Sequence, residues 1–127
     1  AVLSCFVRPY LDLAETGGPQ WTAYARLIAH VSADERWRPI SERCFDPTVE
    51  IFMQELAALL PAAQPRHIAG AFVFSISAML SLATSRWRIE AMAGQLPGSS
   101  PSFGEWADFL LDFCEGGFRA ALARESA

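Results

Sequence analysis

The chain has 127 residues, which fits one domain large enough to form a core without disulfide or metal cross-links. Hydrophobic residues make up 52% and charged residues only 19%, so we expect the apolar excess to be covered by oligomerisation or to line a cavity. The formal net charge of -4, from fourteen acidic and ten basic residues, argues against nucleic-acid binding by this chain on its own.

The first half of the chain predicts four short helices, around residues 1–14, 19–32, 33–44 and 46–61. Gly17 and Gly18 end the first helix, and Pro19 suits the first turn of the second. Ser32 and Glu35 have the S-x-x-E spacing of a capping box, which predicts the start of the third helix. Along the first helix, apolar residues recur at spacings of three and four, at Val2, Cys5, Phe6, Tyr10 and Leu13.

A long helix predicted from Pro65 to about Gly94 carries more apolar residues than one helix face can hold. From Ile68 to Ser85 it has no charged residue, and its bulky side chains spread over more than one side. Such a helix has to be covered by a larger core, by a second chain or by a membrane. The apolar span is about 27 Å long, which is marginal for a membrane, so a shared helix bundle is the better interpretation.

A capping box of Ser102 and Glu105 predicts a last helix that runs to about residue 124. The turn-rich residues 94–101 would separate it from the long helix as an exposed loop. Its Gly116-Gly117 pair costs about 1 kcal/mol per glycine relative to alanine, which indicates that another backbone passes close by. Since no strand pattern competes, we predict an all-α domain of five or six helices whose last two are long and antiparallel.

No residue pattern predicts catalysis or a metal site. Cys5, Cys44 and Cys114 are odd in number and lie among apolar residues, which indicates buried free thiols in a reducing compartment, with a redox-sensing thiol as the alternative. His30 and Asp34 stand four residues apart but lack a third metal donor. The chain has no G-x-S-x-G motif and no glycine-rich phosphate loop. We therefore expect neither an enzyme nor a bound metal or cofactor.

Four sequence segments follow one another in a recognisable order. They are R-P-x-L-x-L-A from Arg8, W-x-x-Y-A-R-L-I-A from Trp21, E-R-C-F-D-P-x-x-E-x-F-x-x-E-L-A-x-L-L-P from Glu42 and L-L-D-F-C-E-G-G-F-R-A-A-L from Leu110. The long apolar helix lies between the third segment and the fourth. In order and spacing, the segments resemble the C-terminal regulatory domain of the TetR/AcrR family of bacterial transcriptional repressors, over nearly the whole chain.

The resemblance implies a homodimer in which the last two helices of each subunit form an intermolecular four-helix bundle. It implies a pocket for a small hydrophobic or amphipathic effector, among the earlier helices and one side of the penultimate one. It also implies a cytoplasmic repressor whose N-terminal helix-turn-helix domain, absent from these 127 residues, reads operator DNA and is released by the effector. The alternative is an all-α homodimeric interaction or carrier module without a small-molecule effector.

Candidate residues for the two implied surfaces follow from residue type and helical spacing. Aromatic rings and flexible methionines suit an adaptable apolar ligand, although the same residues at the same spacing also build a plain core. For the ligand pocket we predict Trp21, Tyr24, Ile28, Trp37, Phe52, Met53, Phe72, Ile76, Met79 and Trp87. For the dimer interface we predict Phe74, Ala78, Leu82, Trp106, Leu110, Phe113, Gly117 and Phe118.

Two Arg-Trp-Arg triplets, at residues 36–38 and 86–88, leave the charge of the ligand open. Each triplet could offer cations and an indole to an acidic head group. The simpler interpretation is that each marks the end of an amphipathic helix, with its Trp inward and its Arg residues solvated.

Overall fold

The structure is a computed structural model, and it describes residues 2–94 and 102–123. Within these ranges the chain forms six α-helices and a short 3-10 turn at Glu35–Trp37, with no β-strand, so the prediction of an all-α domain is confirmed. The exposed loop predicted at 94–101 lies almost wholly outside the described residues. The helices are α1 (Val2–Thr16), α2 (Gly18–Ser32), α3 (Arg38–Cys44), α4 (Asp46–Leu59), α5 (Pro65–Ala93) and α6 (Phe103–Leu122).

Helix α1 lies at the centre of the domain and packs against α2, α4, α5 and α6. Leu3, Val7 and Leu11, each four residues from the next, form its buried row. The predicted apolar stripe is wrong at Cys5 and Leu13, which are exposed. Spacings of three and four also select residues at the edges of a helix face, and only the central row is covered by all four neighbouring helices.

The two predicted capping boxes have different outcomes. The second is confirmed, because the Ser102 hydroxyl accepts a hydrogen bond from the Glu105 amide at 3.2 Å and the Ser102 amide donates to the Glu105 carboxylate at 2.8 Å. The first is wrong, since Ser32 is the last residue of α2. Asp34 caps the following turn instead: its carboxylate accepts from the backbone amide of Arg36 at 2.9 Å and from the guanidinium of Arg36 at 2.7 Å. That bidentate, charge-assisted contact lowers the pKa of Asp34.

The two long helices, α5 and α6, run antiparallel, as predicted. Gly70 near the start of α5 and Ala121 near the end of α6 line one hollow. Ile89 near the end of α5 and Trp106 near the start of α6 line another. Opposite ends of the two helices therefore lie side by side.

Helix α5 is bent rather than continuous. Ser85 has backbone angles of φ -129° and ψ 23°, which are not helical. Immediately before it, the Thr84 hydroxyl donates to the Leu80 carbonyl oxygen at 2.8 Å. A side-chain bond to the carbonyl four residues earlier competes with the backbone ladder and bends helices. The bend separates the apolar main part of α5 from its charged last two turns.

By length and composition alone, α5 is apolar enough to span a membrane, with a mean hydropathy of 1.7 over 18 residues, and no other helix in the described part of the chain passes that test. The packing gives another reason for this composition. Ile68, Phe72 and Met79 are buried in the shared core of the domain. Helix α5 is therefore a core helix on this side.

The prediction of three buried thiols is wrong for two of them. Cys5 and Cys44 are exposed, and only Cys114 is buried, between α6 and α5. Burial raises the pKa of the Cys114 thiol, although a hydrogen bond with Ser75 partly opposes the shift. Cys114 is thus held as a neutral thiol, which disfavours reaction with oxidants.

Candidate functional site

The outer side of α5 and α6 carries large apolar side chains that the described part of the chain leaves uncovered. Phe74 is 75% exposed, Phe113 68% and Phe109 63%. Monomeric soluble proteins rarely leave several neighbouring rings of this size in water. We name this surface the α5–α6 face; its members are Gly70, Phe74, Ala78, Ile89, Trp106, Phe109, Phe113 and Gly117.

Two hollows follow the line between α5 and α6 on this face. Their volumes are about 500 Å³ and about 300 Å³. Both are lined by Ala78 and Phe113, so together they form one groove along the helix pair. The larger hollow is also lined by the small residues Gly70, Gly117 and Ala121. The α5–α6 face therefore combines protruding rings with recessed small residues.

Within residues 2–94 and 102–123, the adjacent glycines of α6 have no close neighbour. A Cβ atom placed at Gly116 or Gly117 would meet no heavy atom within 4 Å, and the same holds for Gly70. The expectation that another backbone passes close to the pair is thus wrong within one subunit. Gly117 and Gly70 line the groove, whereas Gly116 does not.

A second apolar opening lies between α2, the 3-10 turn and α3. Its volume is about 370 Å³. The rings of Tyr24 and Trp37 stand on its border, at 40% and 39% exposure. We name it the α2–α3 cleft; it is lined by Tyr24, Leu27, Ile28, His30, Val31, Trp37, Ile40, Cys44 and Phe45. No Arg, Asp or Glu is among the lining residues, so the cleft suits an uncharged, largely apolar molecule.

A row of three aromatic rings leads from the α2–α3 cleft towards α1. The ring centroids of Tyr24 and Trp21 are 4.8 Å apart, and those of Trp21 and Tyr10 are 5.9 Å apart. The Tyr10 hydroxyl and the Trp21 indole nitrogen are both buried and have no hydrogen-bond partner in the described chain. Burial and the nearby Tyr24 raise the pKa of Tyr10 to about 12. Tyr10 is therefore a protonated, unused donor at neutral pH.

A third opening, of about 420 Å³, lies at the bend of α5 and differs in chemistry. It is lined by Arg26 and Arg86 but also by Glu15 and Glu90, so its charges are mixed. The Arg86 guanidinium lies 5.3 Å from the centre of the Phe103 ring and 3.6 Å from the Glu90 carboxylate. With its cations opposed by two carboxylates, this opening is a weaker candidate for an acidic ligand.

Comparison with known protein families decides the class of the chain. The family described as "Tetracyclin repressor-like, C-terminal domain" matches residues 4–117. The chain belongs to this family. The resemblance inferred from the sequence is thus confirmed, and the chain is a TetR-like regulatory domain of the kind that binds ligands and forms dimers. No curated protein and no solved structure matches the chain.

The ten predicted ligand residues of this TetR-like domain do not form one pocket. Tyr24, Ile28 and Trp37 come together in the α2–α3 cleft, and Trp21 stands behind Tyr24. Trp87 is 67% exposed at the bend of α5, away from the others. The prediction that the Trp of the triplet at residues 86–88 points inward is therefore wrong. The remaining five belong to the core or pack against it: Phe52, Met53, Phe72, Ile76 and Met79.

An aromatic cluster occupies the place where the TetR resemblance implies the pocket, between the early helices and α5. The ring centroids of Phe6 and Phe52 are 4.9 Å apart, and those of Phe6 and Phe72 are 5.2 Å apart. Phe72 is only 1% exposed. These rings fill the space between α1, α4 and α5, whereas the α2–α3 cleft lies outside them.

The eight predicted interface residues of this TetR-like domain divide between its outside and its core. Phe74, Phe113 and Gly117 are exposed on the α5–α6 face, with Ala78 and Trp106 half-buried beside them. Leu82, Leu110 and Phe118 are buried within the subunit. Phe109 is missing from the prediction although it lies on the same face. Its spacing of three from Trp106 and four from Phe113 is the signal that could have found it.

The geometry of the described residues does not indicate a metal site or a catalytic site. Within residues 2–94 and 102–123, no group of three His, Cys, Asp or Glu side chains is placed to hold a metal ion. His30 lines the α2–α3 cleft, while Asp34 is engaged with Arg36 at the following turn. The family is one of regulators rather than enzymes.

Proposed function

We propose that this domain joins two subunits of a transcriptional repressor through the α5–α6 face and senses a small, largely apolar effector in the α2–α3 cleft. The observation that carries the proposal is the exposure of Phe74, Phe109 and Phe113 on one side of the molecule. A phenylalanine side chain buries about 150–250 Å² when covered, so three rings at these exposures offer roughly 400 Å² of apolar surface. A stable interface buries about 800 Å² per partner, and these three residues supply about half of it.

A second copy of this chain fits the α5–α6 face better than an unrelated partner. Two-fold symmetric interfaces bring the same patch of both subunits together, so protruding groups on one copy need recesses on the other. The face carries both kinds of feature, since Phe74 and Phe113 stand beside a hollow lined by Gly70 and Gly117. The antiparallel helix pair of each subunit then forms one half of a four-helix bundle.

Helix α2 connects the cleft to the dimer face. It supplies Tyr24, Ile28 and Val31 to the cleft and packs directly against α5. A ligand that prefers one position of α2 shifts the balance between two arrangements of α5 in the dimer. An N-terminal DNA-binding domain attached to each subunit would then change its spacing, so effector and operator oppose each other through one coupling free energy.

The proposal is tested by native mass spectrometry together with a thermal-shift screen of uncharged aromatic compounds. We expect a dimer whose midpoint of unfolding rises with compound concentration, because a ligand that binds only the folded state stabilises it. A dimer that responds to no compound would instead favour an interaction module without an effector. A monomer would count against the whole proposal.

A cleft variant with a matched control locates the binding. Ile40 lines the α2–α3 cleft and is 41% exposed, so Ile40→Trp should fill the cleft without disturbing the core. Ile51 is 61% exposed on α4 and lines no described opening, so Ile51→Trp is the control. We expect the thermal shift to disappear in the first variant and to persist in the second. Loss in both variants, or in neither, would place the ligand elsewhere.

A further inference from the structure

The row Tyr10–Trp21–Tyr24 contains two buried donors that have no hydrogen-bond partner among the described residues. The Tyr10 hydroxyl and the Trp21 indole N–H lie on adjacent rings, whose centroids are 5.9 Å apart. Buried polar groups in folded proteins are nearly always hydrogen-bonded, because an unpaired one loses its bonds to water and gains nothing. Two such groups side by side indicate a place prepared for an acceptor from outside the subunit.

Tyr24 connects these donors with the α2–α3 cleft. Its ring lines the cleft on one side and lies 4.8 Å from the Trp21 ring on the other. It is 40% exposed and makes no hydrogen bond within the described residues, so packing alone holds it. A rotation of the Tyr24 side chain is therefore a low-cost way to open the cleft towards Trp21 and Tyr10.

Resting on the proposed function, we infer that the effector is an apolar molecule with one uncharged oxygen acceptor, which is bound by the Tyr10 hydroxyl and the Trp21 N–H. A ketone, ester or amide oxygen meets this description. The apolar body lies among Ile28, Trp37 and Ile40 in the cleft. Displacement of Tyr24 carries the acceptor to the two donors.

The surroundings of the two donors favour an uncharged ligand over an acid. The groups of the α2–α3 cleft that can titrate are Tyr24, His30 and Cys44, and no guanidinium is among its lining residues. A carboxylate brought to Tyr10 and Trp21 loses its hydration, and no guanidinium among the residues that line the cleft can pair with it. The raised pKa of Tyr10 keeps its hydroxyl protonated, so it donates to a neutral oxygen over the whole physiological pH range.

Three probes of one shape test the inference: naphthalene, 2-acetylnaphthalene and 2-naphthoate, each titrated into the dimeric protein by calorimetry. We expect the ketone to bind about tenfold more tightly than the hydrocarbon, as one well-formed hydrogen bond allows. The carboxylate should bind more weakly than both. Equal binding of ketone and hydrocarbon would overturn the inference alone, whereas absence of binding by all three would overturn the proposed effector function with it.

Conservative variants assign the effect to the two donors. Tyr10→Phe and Trp21→Phe should each remove most of the preference for the ketone over naphthalene. Trp87→Phe is the control, because Trp87 is 67% exposed at the bend of α5 and lies outside the cleft and the α5–α6 face. A preference that survives in both Tyr10→Phe and Trp21→Phe, or that is lost in Trp87→Phe, would contradict the inference.

The stability of the ligand-free protein distinguishes a binding role of the Tyr10 hydroxyl from a purely structural one. If the Tyr10 hydroxyl is unused in the free protein, Tyr10→Phe should raise the midpoint of urea denaturation while it weakens ketone binding. If the hydroxyl instead serves the fold, the same variant lowers the midpoint, and the inference fails.

Discussion

Helix α1 and the α5–α6 face are both rich in apolar residues, but they are covered in different ways. Val7 and Leu11 of α1 are 1% and 0% exposed, because four helices of the same subunit surround them. On the α5–α6 face, Phe74 and Phe113 are 75% and 68% exposed. Apolar composition therefore predicts that these residues are buried, but only the packing shows whether they are buried within the subunit or by another molecule.

The largest effect is expected at the centre of the domain. Leu11→Ala leaves a cavity that four surrounding helices cannot close, so it should lower the free energy of unfolding by about 3 kcal/mol. Urea denaturation followed by circular dichroism measures this change. A loss below about 1 kcal/mol would mean that α1 is not the closed centre of the fold.

The matching change on the α5–α6 face should act on assembly instead of on folding. Phe113→Ala removes a ring that the subunit leaves 68% exposed, so unfolding of the dilute monomer should change by less than about 0.5 kcal/mol. Because the ring lies at the centre of the proposed interface, its loss should weaken dimerisation by about 2 kcal/mol, or about thirtyfold. Sedimentation equilibrium over a dilution series measures the second quantity, and an unchanged dimer constant would remove Phe113 from the interface.

The two adjacent glycines of α6 differ in position, because one lines the groove and the other does not. A Cβ fits at Gly116 and at Gly117 without contact to any other described residue, so alanine at either should stabilise the monomer by about 1 kcal/mol. Only Gly117→Ala should weaken the dimer, since Gly117 lines the larger hollow. Equal dimer constants for the two variants would show that the partner does not approach α6 there.

The smallest effects are expected at the helix ends. Ser102→Ala removes the hydroxyl that accepts from the Glu105 amide at the start of α6, while the backbone amide at position 102 can still donate to the Glu105 carboxylate, and it should cost about 1 kcal/mol of unfolding free energy. Ser32→Ala should cost close to nothing, since Asp34 caps the turn that follows α2. Similar losses in the two variants, measured by thermal unfolding, would contradict this assignment of the caps.

Much of the fold could be predicted from local signals. Proline at first turns, the Gly17-Gly18 break and the Ser102 cap placed the helix boundaries within a few residues of those observed. The Ser32 cap failed because a carboxylate two residues later competes for the same turn and binds Arg36 as well. The local pattern alone does not show which of two neighbouring residues caps the turn, because that depends on the backbone conformation of both residues.

The site could be predicted less well, because residue type does not reveal which side of a helix the subunit covers. Phe72 and Phe74 differ by two positions in α5, yet one is 1% exposed and the other 75%. Helical spacing separates them into two faces correctly, but only the packing of α1, α4 and α6 decides which face is the core. Tyr24 and Trp37 are thirteen positions apart in the sequence, and they meet because the 3-10 turn that contains Trp37 folds back against α2.

Sedimentation equilibrium of the wild type and two variants at micromolar concentration shows whether a second copy of this chain covers the α5–α6 face. Phe74→Glu/Phe113→Glu places charges on the proposed interface, and Ile51→Glu places one on the exposed surface of α4. We expect twice the subunit mass for the wild type and for Ile51→Glu, and the single subunit mass for the double variant. A wild type that sediments as a folded monomer, or a double variant that remains a dimer, would contradict this expectation.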